Sequence, residues 1–180
     1  MIYESVRRQV MLYADAYKTA NTIRASLAPH CDRIEIAGSI RRKCEKCNDV
    51  EIICIPKDRA GVSKICNEWT KIKGDLLIGR YTRREVCING VGTFVDIFTA
   101  THTNWGLIYA MRTGNTSFSH KILASGWVKH GYHSISGMLH NGRNFVLTPE
   151  ERDVFKIAGV EWTEPEERDD LTYITTWGDM

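Results

Sequence analysis

Long apolar runs are missing from this chain, and no stretch reaches the ~18 residues of a membrane span. Its amino terminus, MIYESVRRQV, sets Glu4, Arg7 and Arg8 where a secretion signal needs an apolar centre. The expectation is a soluble intracellular protein with no membrane partner, working in the cytoplasm or nucleoid, a viral or phage origin being open. Proline is scarce, four in 180 residues, and there is no internal repeat, low-complexity tract or Pro/Gly-rich linker. Solenoids and extended spacers are thereby excluded, and any subdomains must be joined compactly. Also lacking is a second C-x-x-C, or a histidine pair at standard spacing, to complete Cys44 and Cys47 as a zinc centre. These two read as thiols in a loop. With Cys31, Cys54, Cys66 and Cys87 they are expected to be reduced, because reducing compartments disfavour structural disulfides.

What is present suffices for a core: 43% of residues are hydrophobic and 26% charged. The net charge of +2 conceals an asymmetry. Residues 1–149 hold 21 basic against 12 acidic side chains, a net +9, and residues 150–180 hold 3 against 10, a net −7. A basic body with an acidic end suits contact with a polyanion, two ordinarily solvated surfaces being the alternative.

From Ser5 to Leu27 apolar residues recur at helical spacing. Arg33 to Ala37 alternates charged and apolar residues before Gly38-Ser39 and reads as a strand ending in a tight turn. The β-branched run from Val50 to Ile55 reads as a central strand. Val86 to Ile88 and Thr93 to Thr99 read as a strand pair around Asn89-Gly90. Beyond Trp105 the pattern is helical to Met111, and again from Ser117 to His130, with hairpin-like segments near Gly131, Gly137 and Asn141-Gly142. Thr148-Pro149-Glu150-Glu151 predicts a helix capped by Thr148, and Gly159 its end. The class is α+β, with a mixed sheet and flanking helices over residues 1–102 and a small α+β subdomain over 103–180. Trp105 and Tyr109, at helical spacing, are expected in the core.

Asp49 and Glu51 flank Val50 at the start of the apolar strand, and the period of two puts both carboxylates on one face. Asp96 sits inside Phe94-Val95-Asp96-Ile97-Phe98, where an acid is costly to bury unless paired or ligating. Three hard oxygen donors on strands suit Mg²⁺, and a two-metal site of this kind stabilises both oxygens of an in-line phosphoryl displacement. Mn²⁺ accepts the same ligands. Gly38-Ser39-Ile40-Arg41-Arg42 reads as a strand-to-helix turn whose N–H groups, Ser39 hydroxyl and Arg42 guanidinium could face triphosphate oxygens. A plain turn with a solvated basic pair is the bland alternative.

GSIRRKCEKCNDVEI followed by FVDIFTA resembles the nucleotidyltransferase palm of family X DNA polymerases, whose pattern is Gly-Ser-x-Arg-Arg, Asp-x-Asp or Asp-x-Glu, and a third Asp. The resemblance implies that Asp49, Glu51 and Asp96 hold two Mg²⁺ ions, and that Gly38, Ser39 and Arg42 hold the incoming triphosphate. YAMRTGNTSFSHKI resembles the family's thumb entry, which implies nucleotide contacts for Thr113, Gly114, Asn115, Ser119 and His120. LTPEERDVFKIAGVEWTEPEERD resembles the terminal motif, so the likeness runs from about Ile34 to Asp169. The implied protein is a short-form polymerase: a palm over residues 1–102, a thumb over 103–180, and no amino-terminal DNA-binding domain. It would act as a monomer on a DNA primer-template or gapped DNA with a deoxynucleoside triphosphate. Arg83 and Arg84 could contact primer phosphates, a solvated basic face being the alternative. Met111-Arg112 stands where the family often has an aromatic pair, and the second acid is Glu51 instead of the commoner Asp. Rival readings are a nucleotidyltransferase with no template or a non-DNA acceptor, and an inactive DNA-binding relative.

Overall fold

The computed structural model describes residues 10–88 and 90–169. The chain divides into two compact units, Met1–Ile36 with Cys44–Thr99, and Ala37–Lys43 with Ala100–Met180. The α+β class expected from the sequence is observed.

In the first unit a two-residue strand, β1 (Met11–Leu12), precedes helix α1 (Tyr13–Leu27) and strand β2 (Cys31–Ile36). The chain then leaves for a single helical turn, α2 (Gly38–Arg41), that belongs to the second unit. It returns through β3 (Lys46–Cys47), β4 (Asp49–Pro56), α3 (Arg59–Cys66), β5 (Thr70–Gly74), β6 (Tyr81–Ile88) and β7 (Val91–Thr99). The expected helix from Ser5 is corrected where the structure describes it, since Met11 and Leu12 are extended. They pair with Cys47 and Lys46, and the Tyr13 N–H donates to the Glu45 carbonyl at 3.0 Å. That ladder takes backbone groups a longer helix would need. The part before residue 10 lies outside the described residues.

Five strands run in the order β2-β4-β7-β6-β5. Only the β4–β7 pair among them is parallel. An interior strand between two neighbours is buried on both faces, which accounts for the unbroken apolar run Ile52-Ile53-Cys54-Ile55. Helix α1 packs against β2 and β4 and buries Ala16, Ala20, Ile23 and Leu27, the spacing of one helical face. β6 and β7 form a hairpin whose turn includes Gly90 at φ 79, a conformation that favours glycine; Asn89 lies outside the described residues.

The second unit contains α2, then α4 (Trp105–Thr113), a π-helical stretch over Phe118–Ala124, α5 (Ser125–Lys129), β8 (Tyr132–Ile135), β9 (Met138–Asn141), β10 (Asn144–Val146) and α6 (Glu151–Ala158). Its core gathers Leu107, Phe118, Leu123, Trp127, Leu139 and Phe155. Trp105 and Tyr109 are buried as expected. Gly106 is fixed by close approach: a Cβ there would lie 2.1 Å from the Glu150 carbonyl oxygen. Its own N–H donates to the Thr148 carbonyl at 2.8 Å.

Two sequence expectations change here. The cap of α6 is Glu150, not Thr148, and a capping box joins Glu150 to Asp153, whose carboxylate accepts from the Glu150 N–H at 2.9 Å. Thr148 is instead held by its backbone, donating to the Thr103 carbonyl at 2.9 Å. Glu151 turns inward, to Arg41 and Arg168. The boundary expected at 102 also moves, to Ala100, and residues 37–43 join the second unit because Arg41 bonds there to Thr113 and Glu151. Among the described residues no helix is long and apolar enough to cross a membrane.

Candidate active site

Register builds the acid face of the first unit. Asp49 and Glu51 are two apart on β4, the parallel pairing with β7 sets Glu51 beside Asp96, and the antiparallel pairing with β6 sets Arg83 beside Asp96. Because directly paired residues point to the same side, these four charged side chains share one face. Asp96 is 5% exposed, while Asp49 and Glu51 are half-buried. Arg83 spans two of the acids, with Nη2 at 2.9 Å from Asp49 Oδ2 and Nη1 at 3.1 Å from Asp96 Oδ2. Its guanidinium also lies 4.9 Å from the centre of the Phe94 ring. The Tyr81 hydroxyl donates to Asp96 Oδ1 at 2.6 Å, and its ring stacks on Phe98 at 4.8 Å.

Burial raises the Asp96 carboxyl above the usual aspartate range, although the Tyr81 hydrogen bond and the Arg83 charge pull the other way. Tyr81 is itself pushed up to about 12, by burial first and then by Asp96. Carboxylate oxygens are the donors that Mg²⁺ and Mn²⁺ take, and this face already attracts a cation, the Arg83 guanidinium. Asp49, Glu51 and Asp96 therefore fit the metal ions in donor chemistry. As arranged, among the described residues no three acid, imidazole or thiol groups converge to hold an ion.

Arg84 is corrected. Consecutive strand residues face opposite sides, so the arginine after Arg83 enters the interior, 2% exposed, where its Nη2 donates to Asn67 Oδ1 at 3.0 Å. It offers no guanidinium to DNA, and Arg83 is committed to carboxylates. Tyr81 has a signal in the sequence, standing two residues before Arg83 on the same strand.

The basic turn belongs to the second unit. Gly38 adopts φ 63, which favours glycine, and Ser39 is half-buried. Arg42 donates from Nη1 to the Thr113 carbonyl at 2.7 Å and pairs through Nε with Asp169 Oδ2 at 2.9 Å. Lys43 pairs with Glu166 at 2.6 Å. The acidic end thus meets the basic turn residue by residue. Thr113 is buried, its Oγ1 accepting from Arg41 at 2.6 Å. Gly114 lies against Phe118 and Ser119, where a Cβ would come within 2.6 Å and 2.9 Å of their side chains. Asn115 Oδ1 accepts from the Phe118 N–H at 2.7 Å, and its amide donates to the Asp169 carbonyl at 3.2 Å. Ser119 is buried and donates to the Met111 carbonyl at 3.0 Å, so its hydroxyl faces inward instead of toward a nucleotide. His120 is exposed.

Sequence reasoning did not assign the cluster beneath this turn. Arg41 grips Glu151 with both nitrogens, at 2.9 Å and 2.6 Å, and its guanidinium lies 3.7 Å from the Tyr109 ring centre. Arg168, fully buried, donates to Glu151 at 2.8 Å and to the Thr163 carbonyl at 3.0 Å, with the Phe155 and Trp162 rings each 4.9 Å away. Burial pushes the Glu151 carboxyl up, but the Arg41 bonds and the charges of Arg168 and Arg41 outweigh it and leave it below the usual glutamate range. The first arginine of Gly-Ser-x-Arg-Arg, Arg41, and the arginine of Pro165-Glu166-Glu167-Arg168 carry a pattern signal, but nothing local pairs Arg41 with Glu151, 110 residues away. None of the six cysteines is in a disulfide, and the Cys47 thiol donates to the Cys44 carbonyl at 3.6 Å.

No family model and no curated protein sequence matches this chain. Among solved structures it is similar to polymerase beta of Leishmania infantum, determined as a ternary P/T complex. The TM-score is 0.73 at 15% sequence identity, over 92% of this chain and 78% of that one. The fold is that of polymerase beta. A polymerase beta-like fold is what the Gly-Ser-x-Arg-Arg and Asp-x-Glu patterns implied, and it survives here with little sequence in common.

Proposed function

We propose that this chain is a metal-dependent nucleotidyltransferase of the DNA polymerase type, adding deoxynucleotides to a primer 3′ end, with short-gap filling in DNA repair as its use. The observation that carries the reading is the acid face, where register aligns Asp49, Glu51 and Asp96 on two parallel strands of a polymerase beta-like fold. Mg²⁺, with Mn²⁺ as a substitute, would be held by these three carboxylates and would supply charge neutralisation at the reacting phosphate. Asp96 would orient the attacking 3′-hydroxyl and accept its proton, the freed oxygen bonding to the α-phosphorus as the α–β phosphoanhydride bond breaks and pyrophosphate leaves. Ser39 and Arg42 supply a hydroxyl and a cation to triphosphate oxygens. The chain binds primer-template or gapped DNA through phosphate contacts that weaken with salt.

The test is extension of a labelled primer on one-nucleotide-gapped, open-template and single-stranded DNA, comparing wild type with Asp49→Ala. Template-directed extension lost in the variant supports the reading; extension without a template moves it to a tailing enzyme. Blank lanes for both folded proteins sink it.

A nucleotide can reach the Arg42 guanidinium fully only if the Asp169 carboxylate lets go. Asp169→Ala is therefore expected to tighten deoxynucleotide binding by up to about fivefold, the size of a half-exposed ion pair, in equilibrium titrations. Unchanged or weaker binding would remove Arg42 from the triphosphate site.

A further inference from the structure

Carboxylates gathered on one face of a sheet repel one another, and a cation among them offsets that repulsion. Here the cation is Arg83. Its two terminal nitrogens go to different acids, Asp49 at 2.9 Å and Asp96 at 3.1 Å, so the guanidinium spans the pair instead of gripping one carboxylate side-on. The side chain is 19% exposed and lies along the Phe94 ring. Asp96 is engaged at both oxygens, Oδ1 by the Tyr81 hydroxyl and Oδ2 by Arg83. A divalent ion ligated by Asp49 and Asp96 would need the position that the guanidinium holds, and some of the same oxygen lone pairs.

We propose that Arg83 is the resident counter-cation of the acid face, a positioning residue that a divalent ion must displace from Asp49 and Asp96, so that its ion pairs set the metal affinity of the site. This rests on the metal-dependent reading above. Two roles for Arg83 predict opposite signs. A guanidinium that braces the acids for the metal would weaken binding when removed; one that competes with the metal would strengthen it. The geometry favours competition, because the guanidinium lies between the two carboxylates, not behind them.

The experiment is a titration of the full chain with MnCl₂ alone, free ion being read by electron paramagnetic resonance, for wild type, Arg83→Gln, Arg83→Lys and Asp49→Asn. Circular dichroism checks that each is folded. Arg83→Gln is expected to bind Mn²⁺ at least about tenfold more tightly than wild type, the size of a lost charge-assisted contact. Arg83→Lys keeps the charge as a point cation that cannot span both acids, and should fall between them. That variant carries the test if the glutamine protein does not fold. Added KCl should narrow the gap, since the competing contact is electrostatic. If neither Arg83 variant binds more tightly while Asp49→Asn loses the ion, Arg83 braces the acids and the proposal fails with the metal reading intact. If no protein in the series binds Mn²⁺, both fail together.

Discussion

Asp96→Asn is expected to lower the rate of primer extension by at least ~10²–10³-fold, the cost of removing one preorganised charge from a reacting centre. The substitution is chosen because the amide oxygen of asparagine can still accept from the Tyr81 hydroxyl now bonded at 2.6 Å. The fold of β7 is then little disturbed, and what disappears is the negative charge. Single-turnover extension with saturating nucleotide reads the effect, which should fall on kcat and leave KM within a few-fold if, as proposed, Asp96 acts on the attacking oxygen and not on the triphosphate. A variant within tenfold of wild type would remove Asp96 from the chemistry.

The second large effect concerns stability. Glu151 is the anion between Arg41 and Arg168, and Arg168 is fully buried. Breaking a buried pair by deleting one partner costs about 3–5 kcal/mol, because the remaining charge stays buried without compensation. Glu151→Ala should lose about that much in urea unfolding, with an unchanged slope. Glu151→Gln, which keeps shape and hydrogen bonding, should lose less. A loss under 0.5 kcal/mol (~a surface substitution) would mean the cluster is not a structural centre. The pH dependence follows in sign. The folded Glu151 carboxyl lies below the usual range, so in the acid window the unfolded chain binds more protons there. Its contribution is complete above the ordinary glutamate value of ~4.3 and is lost as pH falls through the lower folded value. Wild type should therefore lose more stability than Glu151→Gln on acidification from about pH 5, judged by melting temperature across that window.

The acid face was legible because strand periodicity is local. Asp49-x-Glu51 sets two carboxylates on one side, and an acid inside Phe94–Phe98 has to be paired or ligating. Strand pairing supplied what the letters did not, the register that brings Asp96 beside Glu51. The same periodicity separates Arg83 from Arg84, one to the acids and one to the interior, so the expectation that both face DNA does not hold for Arg84. At the start of α6 both Thr148-Pro149 and Glu150–Asp153 satisfy capping chemistry, and tertiary backbone bonds at Thr148 decide between them. The bonds that tie Arg41 to Thr113 and Glu151, and Arg168 to Glu151, are not legible in the sequence because the partners lie far apart, where no local pattern pairs them.

The path of the chain bears on how the protein can be divided. Because residues 37–43 leave the first unit and return, the backbone changes unit at three places, after Ile36, Lys43 and Thr99. A single scission at the last of these would not liberate two whole parts. The carboxyl-terminal fragment would hold Glu151 and Arg168 but lack Arg41, leaving Glu151 with one of its two guanidiniums and Thr113 Oγ1 without its donor. Residues 100–180 expressed alone should accordingly be less stable than the same unit supplied with residues 37–43.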